Sequence, residues 1–369
     1  IPDEKFRKCI INVAEDLFGD DNIQPNGYYA LTQAQILQIE DFTDLYSKGI
    51  SSLVGINYFT ALKKLDCSYN DELTELNITG LKNLVELNFS NNNLTDVNLS
   101  GLTKLEKLKE NLNKKTWDGE YYLRAFFDNG DKLGSHENTE CKIDLISQSF
   151  SILSGVAHKD RQEKAITSVE EQLVDDKNKI IKLLTPAFSK SLNNPGYIMN
   201  YPKGIRENGG QYTHSVSWYL MALIKSGYHD RAYRYYQMIN PINRTKTDDK
   251  VNKYKVEPYV IAADIYSSES FPGRGGWTWY TGSAGWFYRV GMQDILGVHK
   301  SGDKLRLDPR LPVAWDGYKM KYHYMDTTYN IEVKKGKKEE LKVDDKNQVS
   351  DTITLKNDKK EHKIILTTK

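Results

Sequence analysis

The feature that most constrains this fold is a short leucine pattern that recurs after 22 residues. The pattern Leu-x-x-Leu-x-Cys/Phe-x-x-Asn starts at Leu62 and again at Leu84, and an incomplete third copy starts at Leu105. Each copy predicts a short strand with inward apolar residues and an asparagine that bonds the backbone of the turn. Two complete repeats are too few to bury a solenoid core alone, so the segment requires further packing.

The residues before the repeats resemble the N-terminal cap of bacterial leucine-rich-repeat proteins. Pro2–Arg7 and the helix-like stretch to Phe18 carry the first part of this resemblance, and Ala30–Tyr46 carries the second. The resemblance implies a cap-and-repeat domain over residues 1–103. It also implies a protein partner that binds through the repeats.

The middle zone, residues 104–300, has a helical apolar pattern. Helices are predicted at about Thr103–Asn113, Ile143–Gly155, Arg161–Val174, His214–Ser226, Asp230–Ile239, Glu257–Tyr266 and Thr281–Leu296. Long loops rich in Gly, Asn, Pro and Tyr separate them. This alternation favours a mostly α, toroid-like arrangement over a parallel α/β sheet.

The last zone, residues 301–369, changes to a period of two residues. Alternating segments are found at Lys319–Tyr324, Tyr329–Val333, Ile353–Leu355 and Lys363–Leu366. Alternation of this kind predicts strands, and we expect a small antiparallel β unit. The chain is therefore predicted to be multidomain, with a repeat solenoid, a helical domain and a β unit.

Bulk properties exclude some partners. With 51 basic and 50 acidic residues, the chain has no electrostatic reason to bind nucleic acid or an anionic membrane. Cys9, Cys67 and Cys141 are too far apart for a disulfide framework or a zinc knuckle. No apolar run is long enough to span a membrane, and no signal peptide is visible. We therefore expect a cytoplasmic protein; export is the alternative, because capped repeat proteins are often exported.

The first candidate site is the segment that starts at Trp117-Asp118-Gly119-Glu120. A carboxylate beside an indole loses hydration, which raises its pKa and lets it act as a general acid. The alternative is that Asp118 caps a helix by accepting bonds from the next backbone amides. The residues alone slightly favour the capping role.

The second candidate site is the polar loop Lys203–His214, which precedes an apolar helix. Its glycines allow close approach of the backbone to a ligand. Arg206 and Glu207 can bind sugar hydroxyls, with Gln211 assigned to the same role. His214 would lie at the start of a helix, where an anion is favoured. A plain polar loop with a capping histidine is the alternative.

Two further clusters are candidates. Gly273–Trp286 would present the Thr281 hydroxyl and the Gly282 amide to an oxyanion at a helix start, although a helix-packing glycine turn is the alternative. Gly134–Glu140 contains His136, Glu137 and Glu140 without HExxH spacing, so a structural loop near the sugar site is favoured over a metal site.

Taken in order, these clusters resemble glycoside hydrolase family 94 sugar phosphorylases. The motifs are WDGEYYLRAFFDNGDKLGS, GIRENGGQYTH and GGWTWYTGSAGW, and the resemblance runs from about Lys104 to Val333. The last motif is most similar in wording to members that act on β-1,2-glucan, including the phosphorylase part of cyclic β-1,2-glucan synthases.

The resemblance implies inverting phosphorolysis of a β-linked oligosaccharide or glucan. Asp118 would be the general acid, and inorganic phosphate would be the co-substrate, with no cofactor or metal. His214, Thr281 and Gly282 match phosphate-binding positions, while Trp117, Arg206 and Glu207 fall near the subsite for the cleaved sugar. The family often has lysine where this chain has Arg206, which keeps the charge but changes the geometry.

The chain also departs from the family pattern. Six or seven helices are predicted where an (α/α)6 toroid needs twelve, and the repeats stand where family members carry a β-sandwich and the first half of the toroid. We therefore expect weak or no turnover, and exposed apolar faces that favour homo-oligomers. The alternatives are a non-catalytic glucan-binding or interaction protein, an inverting hydrolase, or an accidental join of two unrelated sequences.

Overall fold

The computed structural model describes residues 1–19, 30–94, 96–279, 282–348 and 350–368. These residues divide into two compact units. The N-terminal unit comprises residues 1–112 with 301–303, and the C-terminal unit comprises residues 113–300 with 304–369. The three predicted domain ranges remain predictions.

The N-terminal unit starts with a capped helix and continues as short parallel strands. Its helices are α1 (Glu4–Phe18) and α2 (Gln33–Ile36), with 3-10 turns at Thr43–Leu45 and Ile56–Tyr58. Its strands are β1 (Asp41–Phe42), β2 (Lys64–Asp66), β3 (Glu75–Asn77), β4 (Glu86–Asn88) and β5 (Asp96–Asn98). Strands β1, β2 and β4 form one parallel sheet and β3 pairs in parallel with β5.

The parallel register reproduces the period of the sequence repeat. Leu65 lies opposite Leu87, and the Asn70 backbone N–H donates to Asn92 Oδ1 at 2.7 Å. The Asn70 side chain is fully buried and donates to the carbonyls of Leu45 and Cys67, each at 2.9 Å. The predicted strand and asparagine turn are therefore confirmed in the two complete copies. The incomplete third copy is helical instead, within α3 (Thr103–Lys115).

Replacing Asn70 with Ala should destabilise the N-terminal unit by about 2–4 kcal/mol, because buried backbone groups lose their partners. Asn70 Oδ1 also accepts the backbone N–H groups of Lys48 and Ile50. Asn83→Ala is the matched control, since Asn83 makes one surface bond to the Thr60 carbonyl. Urea unfolding measures both; equal losses for the two variants would contradict the buried ladder.

The C-terminal unit is built on helices around one apolar core. They are α4 (Leu145–Leu153), α5 (Lys159–Gln172), α6 (Thr213–Lys225), α7 (His229–Ile239), α8 (Pro241–Arg244), α9 (Asp248–Tyr254) and α10 (Gly282–Arg289), with a 3-10 turn at Gly196–Asn200. Core side chains include Ile152, Ile166, Val216, Leu220 and Tyr235. Five predicted helices, including Thr103–Asn113, therefore match α3 to α7, whereas the toroid itself remains a prediction.

One predicted helix, Glu257–Tyr266, is wrong. Val260 to Ala262 are buried outside any helix or strand, and Asp264–Ile265 forms a strand antiparallel to Gln211–Tyr212. A short apolar run has no periodicity that distinguishes a buried strand from a helix, and here tertiary pairing decides. The last predicted helix, Thr281–Leu296, is α10 followed by a π-helical turn, Val290–Ile295, and Thr281 lies outside the described residues.

The predicted strands near the C-terminus are confirmed, but their sheet is mixed and not purely antiparallel. Its order is Gly317–Tyr324, Thr327–Lys335, Glu361–Thr368, Glu340–Val343 and Lys346–Asn347. The second and third strands are parallel, with Ile331 opposite Ile364. A smaller sheet contains Val298–Ser301, Lys304–Leu307 and Thr352–Thr354. Alternation predicts which residues face inward but carries no information on the direction of a neighbouring strand.

Further two-residue strands pair locally in the C-terminal unit. They are Ala125–Phe126 with Lys132–Leu133, Ile143–Asp144 with Leu184–Thr185, and Val174–Asp175 with Ile180–Ile181.

Cys9, Cys67 and Cys141 are free and buried. No helix within the described ranges has both the length and the apolar character needed to cross a membrane.

Asp294, in the π-helical turn, should make stability depend on pH. Burial raises its pKa to about 6, although Arg289 opposes the shift, and its buried Oδ2 has no partner in the described part of the chain. The folded state therefore favours the protonated acid, and the associated stability is lost as the pH rises from about 4 through 6.

Asp294→Asn should therefore stabilise the protein at pH 8, by on the order of 2 kcal/mol, and have little effect at pH 4. Thermal unfolding at both pH values measures this difference. Asp326→Asn, at an exposed turn, is the control and should leave the pH profile unchanged. A pH-independent effect of Asp294→Asn would contradict the assignment.

Candidate active site

Asp118 lies in a tight turn and not at a helix start. Trp117 and Tyr122 form an antiparallel bridge, and the Asp118 backbone N–H donates to the Tyr121 carbonyl at 2.8 Å. No helix follows in residues 119–124, all of which are described. The helix-capping alternative for Asp118 is therefore wrong, because the chain turns back on itself at Gly119.

The Asp118 carboxylate is held by the Gly134–Glu140 loop. It is 2% exposed, and it accepts the Ser135 hydroxyl at 3.1 Å and the His136 backbone N–H at 2.7 Å. The His136 ring nitrogen Nδ1 lies 2.7 Å from the same carboxylate, and Lys132 Nζ lies 3.7 Å away. The loop that the sequence marked as structural is thus the direct support of Asp118.

The Trp117 indole is part of the helical core. Its ring packs edge-on against Tyr122, with centroids 5.0 Å apart, and the Arg161 guanidinium lies 4.7 Å over it. These contacts fix the turn that carries Asp118. The sequence had indicated that the Trp117 indole sets the environment of the Asp118 carboxylate. In the structure, Ser135, His136 and Lys132 surround this carboxylate.

His214 lies in the first turn of α6, in an aromatic setting. Its ring stacks on Tyr212 with centroids 4.9 Å apart, and Trp218 lies 6.1 Å away. Burial lowers the pKa of His214, so its imidazole is mainly neutral at pH 7. Its Nδ1 is buried without a hydrogen-bond partner among the described residues. An unpaired polar atom of this kind is available to a ligand.

The start of α10 packs directly against His214. A β-carbon added to Gly282 would lie 2.7 Å from His214 Nε2, so only glycine permits this approach. The structure therefore brings together two predicted phosphate-binding residues that are far apart in the sequence. The third, Thr281, and its neighbour Tyr280 lie outside the described residues.

Arg206 and Glu207 lie in the loop before α6. Arg206 has a positive φ of 49°, and its guanidinium lies 5.6 Å from the Tyr201 ring and 5.4 Å from the Trp277 ring. Glu207 Oε2 is buried without a partner among the described residues. Burial raises the pKa of Tyr212, and the nearby Glu207 carboxylate adds to this effect.

Asp264 is a candidate site residue that the sequence did not reveal. It is 3% exposed and accepts the Trp277 backbone N–H at 2.9 Å, and its Oδ2 has no hydrogen-bond partner among the described residues. Burial raises its pKa; the Trp277 N–H and the Arg206 charge oppose this, while Glu207 reinforces it. A β-carbon on Gly276 would lie 2.3 Å from the carboxylate. The sequence signal that could have identified Asp264 is its position as the single acid in the apolar run that starts at Val260.

Gln211 does not present its side chain to a ligand. It is fully buried, and its Oε1 accepts the Ile181 backbone N–H at 3.1 Å. Its assignment to substrate binding is therefore corrected to support of the strand that precedes α6. The position directly before a helix does not reveal whether a side chain points inward or outward.

The Asp118 group and the His214 group are joined by intermediate residues. No hydrogen bond or ring contact between Asp118 and His214 occurs in the described part of the chain. Burial alone would lower the pKa of Arg124, but Asp144 and Tyr197 raise it. Tyr197 also adds to the raised pKa of Tyr212. Tyr197 therefore interacts electrostatically with one residue near each group, Arg124 and Tyr212.

Among the described residues, no group of three or more His, Cys, Asp or Glu side chains could hold a metal ion. His136, Glu137 and Glu140 do not converge. His136 contacts Asp118, Glu137 pairs with Lys132, and Glu140 accepts the backbone N–H groups of Ser189 and Lys190. The cluster therefore serves to hold loops.

Comparison with known families identifies the middle of the chain as a carbohydrate-active catalytic domain. The glycosyl hydrolase 94 superfamily catalytic domain matches residues 73–297, more than half of the chain. The chain therefore belongs to the glycosyl hydrolase 94 superfamily, and the predicted resemblance is confirmed. The match starts within the repeats, before the predicted boundary at Lys104. The glycosyl hydrolase family 65 C-terminal domain matches residues 299–362.

Several relatives are similar over the same region. The cyclic beta-(1,2)-glucan synthase NdvB of Rhizobium meliloti is 47% identical over 63% of this chain and 8% of its own length. The N,N'-diacetylchitobiose phosphorylase of Vibrio furnissii is 32% identical over 61% of this chain and 28% of its own. The solabiose phosphorylase of Paenibacillus borealis is 29% identical over 70% of this chain and 34% of its own. The chain thus spans about a third or less of these relatives.

A solved family GH92 alpha-mannosidase from Bacteroides thetaiotaomicron is 11% identical to this chain. Its TM-score is 0.24, and the match covers 73% of this chain and 33% of the mannosidase. This similarity is too low to show a shared fold.

His214 should bind a dianion more tightly at low pH. Sulfate keeps its charge between pH 7.5 and 5.5, whereas His214, with its lowered pKa, gains a proton only toward the acidic end. Sulfate affinity should therefore rise by roughly 3–10-fold over this range. NMR of the His214 ring measures both the affinity and the accompanying upward shift of its pKa.

His214→Gln should remove this pH dependence, and His323→Gln, an exposed histidine in the mixed sheet, is the control. A pH dependence that survives His214→Gln would assign it to another group. In that case, the His214 ring signal of the unsubstituted chain should be insensitive to sulfate.

Proposed function

We propose that this chain carries the site of an inverting phosphorolysis that cleaves a β-glucosidic bond with inorganic phosphate to give a sugar 1-phosphate. The observation that carries the proposal is the Asp118 carboxylate, 2% exposed and hydrogen bonded by Ser135 and His136 inside the family-matched range. A buried, oriented acid is what protonation of a glycosidic oxygen requires.

In this proposal Asp118 gives a proton to the glycosidic oxygen as the bond to the anomeric carbon breaks. Phosphate forms the new bond from the opposite face, so the configuration inverts. The proton of the attacking hydrogen phosphate replaces the one that Asp118 donated, and the exposed His136 ring at 2.7 Å is placed to return it. Phosphate is already an anionic nucleophile, so a second carboxylate to activate water, as in an inverting hydrolase, is unnecessary.

The phosphate would bind between His214 and the start of α10. Thr281 and Gly282 would offer a hydroxyl and backbone N–H groups, where helix starts favour anions. The close approach of Gly282 to His214, and the unpaired His214 Nδ1, support this placement. A neutral imidazole donates to phosphate without a permanent charge that would retain the product.

The sugar would bind on the Arg206 side. Arg206 and Glu207 keep their predicted role, and Trp117 acts by fixing the turn of Asp118. Asp264 joins them, because Asp264 Oδ2 and Glu207 Oε2 have no partner among the described residues and can accept from sugar hydroxyls. Trp277, 54% exposed beside Arg206, offers a flat face for a sugar ring. A β-1,2 linkage is favoured by the 47% identity with a β-(1,2)-glucan synthase.

We further propose that the helices of the C-terminal unit form part of an (α/α)6 toroid, and that residues 1–103 are a leucine-rich-repeat cap and repeats that recruit a protein partner. The parallel register of Leu65 and Leu87 and the Asn70 ladder support the second point. Relatives are about three or more times longer than the matched part. Groups from the remaining length would complete the site, and misplaced groups cost orders of magnitude in rate.

The test is release of glucose 1-phosphate from β-1,2- and β-1,4-linked glucans in phosphate buffer. We expect slow, phosphate-dependent release by this chain, reduced to background by Asp118→Asn. Asp128→Asn, at an exposed position nearby, is the control and should retain the rate. Turnover that Asp118→Asn leaves unchanged would remove Asp118 from the acid role.

Equal cleavage of the glucan without phosphate, with release of free glucose, would indicate a hydrolase. Fast turnover abolished by Asp118→Asn would show that this chain is sufficient on its own, contrary to the expected low rate. The second candidate function is glucan binding without turnover. It is favoured by the half-exposed rings of Trp277 and Trp279, and it predicts oligosaccharide binding with no glucose 1-phosphate at all.

A further inference from the structure

A cavity lined by several charged side chains lies in the C-terminal unit, outside the candidate active site. It has a volume of about 450 Å³ and lies between the turn after Val174–Asp175 and helices α7, α8 and α9. Six cationic side chains line it: Lys177, Lys179, Arg234, Arg244, Lys250 and Lys253. Its size is that of a site for a small organic ligand.

Arg244 is the most informative residue of this cavity. Its side chain is more than nine-tenths buried, and its Nε has no hydrogen-bond partner among the described residues. One terminal nitrogen donates to the Lys179 carbonyl, and the guanidinium lies 5.9 Å from the Tyr254 ring. Burial lowers the pKa of Arg244 to about 10, and no carboxylate in the described part of the chain offsets it. A buried charge of this kind calls for an anion.

Asp176, the acidic side chain among the lining residues, already forms ion pairs. Asp176 pairs with Arg234 at 2.6 Å and with Lys179 at 3.6 Å. Lys253 Nζ donates to Asn178 Oδ1 at 3.0 Å, and Lys250 Nζ donates to the Asn243 carbonyl at 3.2 Å. Both of these lysine partners are uncharged. The cavity therefore retains excess positive charge around Arg244.

The rest of the lining indicates what else the ligand carries. Asn178, Gln237 and Asn243 supply amide groups. Asn178 and Asn243 already bond Asp175 and Gln237, but amide oxygens have two lone pairs and amide nitrogens two donors, so each can still bond a hydroxyl. Met238 and Tyr254 supply apolar surface. Gly273, in the cavity wall, has a φ of 88°, a backbone conformation that residues with a β-carbon rarely adopt. Amides, a flat apolar patch and a cationic end together match a polyol with an anionic group.

We propose that this cavity binds a phosphorylated sugar, with the phosphate against Arg244, Lys250 and Lys253 and the hydroxyls against the amides. The cavity shares no lining residue with the Asp118, His214 or Asp264 groups. The binding site is thus separate from the site of the proposed phosphorolysis and does not depend on it.

The test is calorimetric titration of the full chain at pH 8 with glucose 1-phosphate, inorganic phosphate and glucose. Glucose 1-phosphate should bind, inorganic phosphate should bind at least about tenfold more weakly, and glucose should not bind measurably. Equal binding of inorganic phosphate, or of glucose, would overturn the sugar-phosphate assignment. No binding of any of the three would overturn the site.

Lys250→Gln/Lys253→Gln should weaken glucose 1-phosphate binding about tenfold or more, as should Arg244→Gln if it folds. The two lysines are exposed, so the double variant keeps the test valid. Lys337→Gln/Lys338→Gln removes the same charge from an exposed hairpin and should change the affinity less than twofold. His214→Ala should leave the part of the binding that depends on Lys250 and Lys253 unchanged. Loss of binding in His214→Ala, but not in the Lys250/Lys253 variant, would place the ligand in the active site and reject the proposal.

Discussion

The candidate site depends on the buried ion pair between Arg124 and Asp144. Asp144 is fully buried; it caps α4 by accepting the Ile146 and Ser147 backbone N–H groups at 2.8 and 3.3 Å, and it bonds the Arg124 guanidinium. The Arg124 backbone N–H donates to the Leu133 carbonyl at 2.8 Å, next to the Gly134 loop. One pair thus ties the first core helix to the hairpin that holds Asp118. Burial of this pair costs desolvation, and the cap and the guanidinium bond offset that cost.

A second constraint is the two-strand pairing that precedes α6. Gln211–Tyr212 lies antiparallel to Asp264–Ile265, and the Thr213 backbone N–H continues the contact to the Ala263 carbonyl at 2.8 Å. This pairing brings the segment of Glu207 and His214 next to that of Asp264, although Asp264 lies some fifty residues further along the chain. The buried Gln211 amide supports the strand from the other side through Ile181. The strand pairing therefore aligns the two segments that carry these site residues.

The predictable parts of the fold are those that local periodicity encodes. The repeat strands, α4 to α7 and the C-terminal strands follow from spacing, because each buries one face. Asp264 was missed because its segment was read as a helix, and an isolated strand of two residues has no periodicity. The parallel pairing of Thr327–Lys335 with Glu361–Thr368 was missed for a related reason: strand direction depends on the connection. The support of Asp118 by His136 is long-range, and only three dimensions show it.

The two proposed anion sites differ in their physics, and the difference fits their roles. At His214 the binding groups are a neutral imidazole and a helix start, which attract an anion through dipoles and an exchangeable proton. A reacting phosphate must enter, transfer and leave as part of a larger product, so weak, adjustable charge is suitable there. At Arg244 the charge is permanent, buried and unpaired by any described acid. That arrangement stabilises the folded chain most when an anion is present, which suits a ligand that is retained and not consumed.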